Sequence, residues 1–362
     1  MSSTARCAAI VLAVAVSDVS IAAGMQPSAN SAPASTQATR PASRPSRRPP
    51  ATAPTTQELA TFARLGKRNV GVHDPSTIVR EGDWYYSFVT GNGVGVIRSK
   101  DLIAWSPMPK VFERSPAWVA EAVPGNRGHF WAPDIVRGKD GRWLLYYSVS
   151  TFGKNTSVMA LASNATLDAN SPQYSWRDEG IVVRSGAGDH FNAIDPAVTY
   201  DADGRLWMSF GSFWDGLRLV ELDATTGLRK GDAAPIPIAR NPEIEAPFIY
   251  RHGEHYYLFV NWGFCCRGIA STYEIRVGRA DAISGPYLDR DGRELARGGG
   301  TLLAKSEGPM IGPGHAGIFV DRDGSEQFSF HFYDRPSGGT PMLGIRPVTW
   351  DAQGWPVLGE VK

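Results

Sequence analysis

Cysteine is scarce in this chain, and so is net charge. Only three cysteines stand among 362 residues: Cys7 near the start, and the neighbours Cys265 and Cys266. No network of long-range disulfides can therefore hold the fold together. In an oxidising compartment the adjacent pair would close a small ring; otherwise two thiols sit at a strand end. Cationic and acidic side chains nearly balance, 37 against 36. Five of the former and one of the latter precede residue 58, which leaves a net charge of −3 on the remainder. No basic face is left to attract nucleic acid or an anionic membrane, so a neutral partner is expected. Helical periodicity is almost missing after residue 58, which excludes a helix bundle.

The first 57 residues have few large apolar side chains outside one short run. Met1 to Ala23 carries Arg6, an apolar stretch from Cys7 to Val16, and small residues ending in Ile21, Ala22 and Ala23. That order describes a secretory signal peptide, and the stretch is too short to span a membrane. Residues 24–57 are almost all Ala, Pro, Ser, Thr and Gln, with Arg40, Arg44, Arg47 and Arg48 as their only charges. Such a segment cannot bury enough apolar surface to offset its ordering entropy and reads as a disordered tether. Residues 58–362 are expected to form the folded domain, secreted and monomeric.

Abundant in that domain are short runs of aromatic and branched residues cut by Gly and Asp. Five of them resemble one another: His73 to Phe88, Trp131 to Tyr147, Ile194 to Phe210, Ile244 to Phe259 and His315 to Phe330. Each has a polar or small opening, an apolar strand, a Gly/Asp turn and a second, aromatic strand, which is a hairpin signature. Pro75, Pro133, Pro196 and Pro247 recur at intervals of 58, 63 and 51 residues, enough for a four-stranded blade each. The expected fold is all-β, a five-bladed propeller with its site at one end of the central axis. A β-sandwich would leave the repetition unexplained.

In a propeller the inner strands line the axis, so the openings Asp74, Asp134, Asp195, Glu245 and His315 should converge. Asp134 follows its proline whereas Asp74 and Asp195 precede theirs, and it reads as a backbone-capping acid. Asp74, Asp195 and Glu245 remain. Three carboxylates on one channel resist simultaneous ionisation unless their surroundings separate their pKa values, and acid–base hydrolysis needs that separation. An inverting glycosidase uses such a pair, one carboxylate activating water and one carboxylic acid protonating the leaving oxygen.

At this point the chain resembles glycoside hydrolase family 43, and within it the endo-α-1,5-L-arabinanases. Several segments carry the resemblance: His73-Asp74-Pro75-Ser76, Trp131 to Asp134, Asn192 to Pro196, and Ile244 to Pro247. Ser150 to Asn155, Gly211 to Trp214, Asn261 to Gly268 and Ser271 to Tyr273 add the arabinanase character. The resemblance implies Asp74 as general base, Glu245 as general acid, and Asp195 as the group that orients the acid and tunes its pKa. It implies substrate contacts at Asp74, Gly153, Asn192, Ala193, Ile194, Asp195, Ser212, Phe213 and Trp214. It also implies a metal, calcium, near His315, although one histidine among waters is an unusual calcium site. His73, His129, His190, His252, His255 and His331 show no metal-ligand spacing and receive no chemistry, His129 and His190 being placed near the rim. The implied substrate is arabinan, with no organic cofactor. An exo-acting arabinofuranosidase or β-xylosidase of the same family is the alternative. A carbohydrate-binding propeller without catalysis is the alternative from another class, though a lectin has no need of three axial carboxylates.

Overall fold

The computed structural model describes residues 71–359. The expected signal peptide, linker and domain boundary at residue 58 lie outside the described residues.

Branched and aromatic runs make strands here, and each blade takes four of them in chain order, one sheet gaining a fifth. Blade one comprises Val79–Glu81, Trp84–Val89, Gly95–Ser99 and Trp105–Pro107. Blade two comprises His129–Arg137, Trp143–Val149, Ser157–Asn164 and Arg177–Ser185, with the two-residue strand Gly91–Asn92 crossing over from blade one. Blade three is Ala197–Tyr200, Leu206–Phe210, Leu217–Leu222 and Ile236–Ala239. Blade four is Ile244–His252, His255–Trp262, Glu274–Ala280 and Thr301–Ala304, and blade five is Met310–Val320, Glu326–Asp334, Thr340–Trp350 and Pro356–Leu358. All pairings within the blades are antiparallel. The fold is a five-bladed β-propeller, as its repeats require.

Five apolar clusters close the ring, one at each blade junction. Phe88 and Tyr86 meet Phe130 and Tyr147 between blades one and two, and Tyr146 and Leu144 meet Met208 and Phe210 between two and three. Leu219 and Ile238 meet Leu258 and Tyr256 next, then Phe259 and Val277 meet Phe328 and Phe330. Tyr85 and Ile97 meet Phe319 and Ile345 at the closure. Because both faces of a blade are covered, strands such as Trp143–Val149 are buried along their whole length. That explains why they read as near-continuous apolar runs.

The repeats open on a shared backbone kink. Asp74, Ala132, Asp195, Ala246 and His315 have φ of 47°, 44°, 59°, 51° and 61°, a region non-glycine residues seldom enter. Proline follows the first four and Ala316 the fifth. Each such residue costs on the order of 1–3 kcal/mol and persists where the surroundings over-determine it. The ladder bulges at this point in blades two, four and five, re-aiming the side chains there. Asp134 is thus not the opening of the second repeat; Ala132 is. Two residues beyond the kink, Asp134 turns into the blade junctions and accepts bonds from the Thr77 and Val198 amides at 2.9 and 2.8 Å. Its capping role is the one its position after the proline suggested.

Candidate active site

A cavity of about 1140 Å³ opens at one end of the axis, and Asp74, Asp195 and His315, three of the five kink residues, line it. Glu245 joins them from one position before the kink of blade four. The four residues come from blades separated by long stretches of sequence, so only the ring brings them together.

The blade-one corner is built from imidazoles around a carboxylate. Asp74 Oδ2 lies 2.8 Å from His73 Nδ1 and accepts a 2.6 Å bond from the Thr90 hydroxyl. Its backbone amide donates to His331 Nδ1 at 3.1 Å, and His331 and His315 stand 3.6 and 3.7 Å from Oδ1. His73 stacks on His331 with ring centroids 4.3 Å apart, and its Nε2 meets the Tyr333 hydroxyl at 2.8 Å. Burial alone would push the Asp74 pKa up, but the charge and hydrogen bond of His73, with His315 and His331 behind, hold it far below the usual carboxylate range. The same pairing overcomes burial at His73 and raises its pKa, whereas burial lowers those of His315 and His331.

Among the described residues no cation is paired with either carboxylate at the corner shared by blades three and four. Glu245 Oε2 accepts a 2.6 Å bond from Ser212 Oγ. Burial pushes its pKa up to about 7; the Ser212 bond moderates the rise and the Asp74 charge adds to it. Asp195 accepts the Ala246 amide at 3.2 Å, beside Glu245, and its own amide donates to Ser148 Oγ. Burial, then the charges of Glu245 and Asp74, push Asp195 well above the usual range. One cavity therefore holds a carboxylate whose pKa its neighbours lower and two whose pKa burial raises, and no hydrogen bond joins Asp74 to Glu245 among the described residues.

Gly153, Asn192, Ile194, Ser212, Phe213 and Trp214 line the cavity, with Trp214 41% exposed. A Cβ on Gly153 would meet open space, but its φ of 74° suits glycine. Ala193 is corrected: it is fully buried, packed in the cluster between blades two and three, because its side chain points behind the wall. His129 lines the rim, whereas His190 faces Asp215 outside the cavity lining. His73 and His331 do belong to the site, contrary to the expectation that gave them no chemistry. His73 was legible as Asp74's neighbour; His331 interrupts the aromatic strand Phe328-Ser-Phe-His-Phe332, an odd place for an imidazole. Trp131 and Phe264 lay in segments that carried the family resemblance but were given no role, and Thr90 and Tyr333 carried no signal in the sequence.

The donor set around His315 tests the expected calcium. Its Nδ1 lies near Asp74, and its amide donates to Asn261 Oδ1. The buried His331 Nε2 has no partner, but with Nδ1 accepting the Asp74 amide it carries the proton and cannot ligate. A cation that prefers six to eight oxygens would find few protein ligands here and would be held through water. A second cluster, His73 with Cys265 and Cys266, is no metal site while the sulfurs are bonded to each other.

Comparison with known proteins finds similarity over most of the chain. The chain is 42% identical over 309 residues to an extracellular exo-α-(1→5)-L-arabinofuranosidase of Cellvibrio japonicus, covering 82% of this chain and 88% of that protein. It is 38% identical over 310 residues to an extracellular endo-α-(1→5)-L-arabinanase of Bacillus subtilis, covering 83% and 92%. A solved exo-1,5-α-L-arabinanase from a bovine ruminal metagenomic library superposes with a TM-score of 0.76 at 46% identity, over 80% of this chain and 97% of that one. The profile of Glycosyl hydrolases family 43 matches residues 69–356, almost all of the propeller, and the chain belongs to that family.

Proposed function

We propose that this chain hydrolyses α-1,5-arabinofuranosidic linkages within arabinan with inversion, Asp74 acting as base and Glu245 as acid. What supports it is the opposite proton preference of two buried carboxylates that face one sugar-sized cavity. Asp74, kept ionised by His73, takes a proton from a water in the cavity as that water attacks the anomeric carbon. Glu245, protonated up to about pH 7, gives its proton to the departing sugar oxygen. Asp195, bonded to the Ala246 amide beside the acid, holds that stretch of backbone, and its titration is linked to that of Glu245. Exchange with solvent then restores both groups. If calcium binds near His315, it would be held largely through water, and its charge would add to the field that keeps Asp74 ionised.

An exo-acting reading also has support, since proteins 42% and 46% identical to this chain are named for exo activity. Digestion of linear debranched arabinan separates the two, because a ladder of oligomers marks internal cleavage and a single small product marks exo cleavage. Proton NMR of the first product tests inversion, and a retained α-anomer would sink the two-carboxylate roles. Secretion is proposed from the Met1–Ala23 pattern and from relatives named extracellular, with the enzyme acting as a monomer. No helix among the described residues is long and apolar enough to cross a membrane.

A further inference from the structure

Beside the carboxylates, the cavity contains a feature that acid–base chemistry does not use. Cys265 and Cys266 are joined by a disulfide, and both line the cavity, Cys266 being exposed to it. The Cys266 sulfur stands 3.7 Å from His73 Nε2, one residue from the base. Next to the pair, the Phe264 ring stacks on Phe213 at 5.8 Å, and the Arg267 guanidinium lies 4.1 Å from the Phe264 ring centre. A continuous apolar strip thus runs from Phe213 through Phe264 and the two sulfurs to the blade-one corner.

The loop that carries this strip is fixed at several points. Phe264 and Thr272 exchange bonds of 3.0 and 2.9 Å, and Arg267 N donates to Ser271 Oγ. The Cys266 amide donates to the Tyr333 hydroxyl at 2.7 Å. Gly268 packs on Gly339 so closely that a Cβ on Gly339 would come within 2.6 Å of the Gly268 Cα. Such a wall loses little freedom when a ligand settles on it. Two bonded sulfurs carry no strong donor and are polarisable, so they suit the C–H face of a sugar better than its hydroxyls. An α-1,5-linked furanose chain presents such a face at its ring hydrogens and C5 methylene.

We propose that the Cys265–Cys266 disulfide is a substrate-binding surface, packing against the furanose that lies on the Asp74 side of the scissile bond and setting affinity for the chain. The proposal rests on the arabinan-hydrolase reading. Opening the ring would give two thiols and a looser loop, and would weaken binding in ground state and transition state alike.

The test compares the full-length oxidised chain, the same chain treated with a phosphine reductant, and Cys265→Ser/Cys266→Ser, on linear α-1,5-arabino-oligosaccharides. Intact mass under denaturing conditions should rise by about 2 Da on reduction, one disulfide opening to two thiols. KM is expected to rise about tenfold in both altered forms, about 1.4 kcal/mol, with kcat within about twofold. The reduced wild-type chain keeps the test valid if the double variant does not fold, and the reductant should leave that variant's kinetics unchanged. No mass gain, or an unchanged KM, overturns the proposal. So does a fall in kcat at constant KM, which would make the loop a positioning device for His73 through Tyr333. An oxidised chain with no action on arabino-oligosaccharides would instead overturn the substrate reading itself, and this inference with it.

Discussion

Asp74 and Glu245 are both largely withdrawn from water, with side chains lining the same cavity, yet they hold protons in opposite ways. The blade-one corner surrounds its carboxylate with three imidazoles and a hydroxyl. The corner of blades three and four gives its carboxylates one serine hydroxyl, one amide and each other. Burial raises the pKa at both places, so burial cannot be what distinguishes base from acid. The neighbours decide, and above all His73. A propeller is well suited to this arrangement, because each corner is furnished by different blades and can differ in charge without disturbing the other.

The largest way to break the contrast is to neutralise either carboxylate. Asp74→Asn and Glu245→Gln are each expected to lower kcat on arabinan by about 10²–10⁴-fold with the fold retained. They should then diverge on an aryl arabinoside with a good leaving group, which hardly needs protonation. Glu245→Gln should recover much of its rate there and Asp74→Asn should not; equal recovery would reverse or cancel the assignments. His73→Ala attacks the cause of the contrast rather than its members. Without the imidazole partner, burial is left to push the Asp74 pKa upward, so more of the base is protonated at a given pH. The acidic limb of kcat/KM should move to higher pH, with about a tenfold loss at pH 5 that shrinks toward neutrality. An unmoved limb would show that His315 and His331 suffice.

Ser212→Ala sharpens the other corner. The hydroxyl donates to Glu245 and so favours the ionised form; its loss should raise the pKa from about 7. Because activity needs this group protonated, the alkaline limb should shift to higher pH, with only a few-fold change in kcat at pH 6. Glu245 and Asp195 interact, so the measured limb reports the pair. A shift to lower pH would mean that the serine holds the acid form instead.

These corners were unequally legible in the sequence. Period, turn chemistry and aromatic strands pointed to five blades, because a repeated pattern leaves few folds that bury every copy. Asp74, Asp195 and Glu245 stood out because each opens a repeat. The phase of the opening was not readable: Ala132, not Asp134, holds the kink of blade two, and only the backbone angle reveals it. Asn192, Ala193 and Ile194 form one sequence run, yet a kinked strand entry turns Ala193 away while its neighbours face the cavity. His331 and Tyr333 were hidden for a further reason. They lie in a second strand, 257 or more residues from Asp74 and His73, and become partners only when blade five closes on blade one.

Asp134 supplies the smallest effect on activity and a control for the whole contrast. It is as buried as the catalytic candidates, and burial pushes its pKa up to about 6 even though the Val198 and Thr77 amides pull it down. It faces blade junctions, not the cavity, so Asp134→Asn should leave kcat within about twofold. Stability should respond instead. In the folded chain the group binds its proton more tightly than in the unfolded chain, where its pKa is 3.8. Folding is therefore favoured by the protonated acid, and that advantage fades as pH rises from about 4 through 6. The asparagine variant replaces an acceptor of two amide bonds with a side chain that has only one accepting atom, a loss of about 1–3 kcal/mol. Its deficit in melting temperature should be widest near pH 4 and narrow toward pH 7, where the wild-type carboxylate bears the cost of a buried charge. A deficit that instead widens with pH would mean that the ionised form is the one the two amides were built to hold, and that burial is a lesser force at this junction than at the cavity.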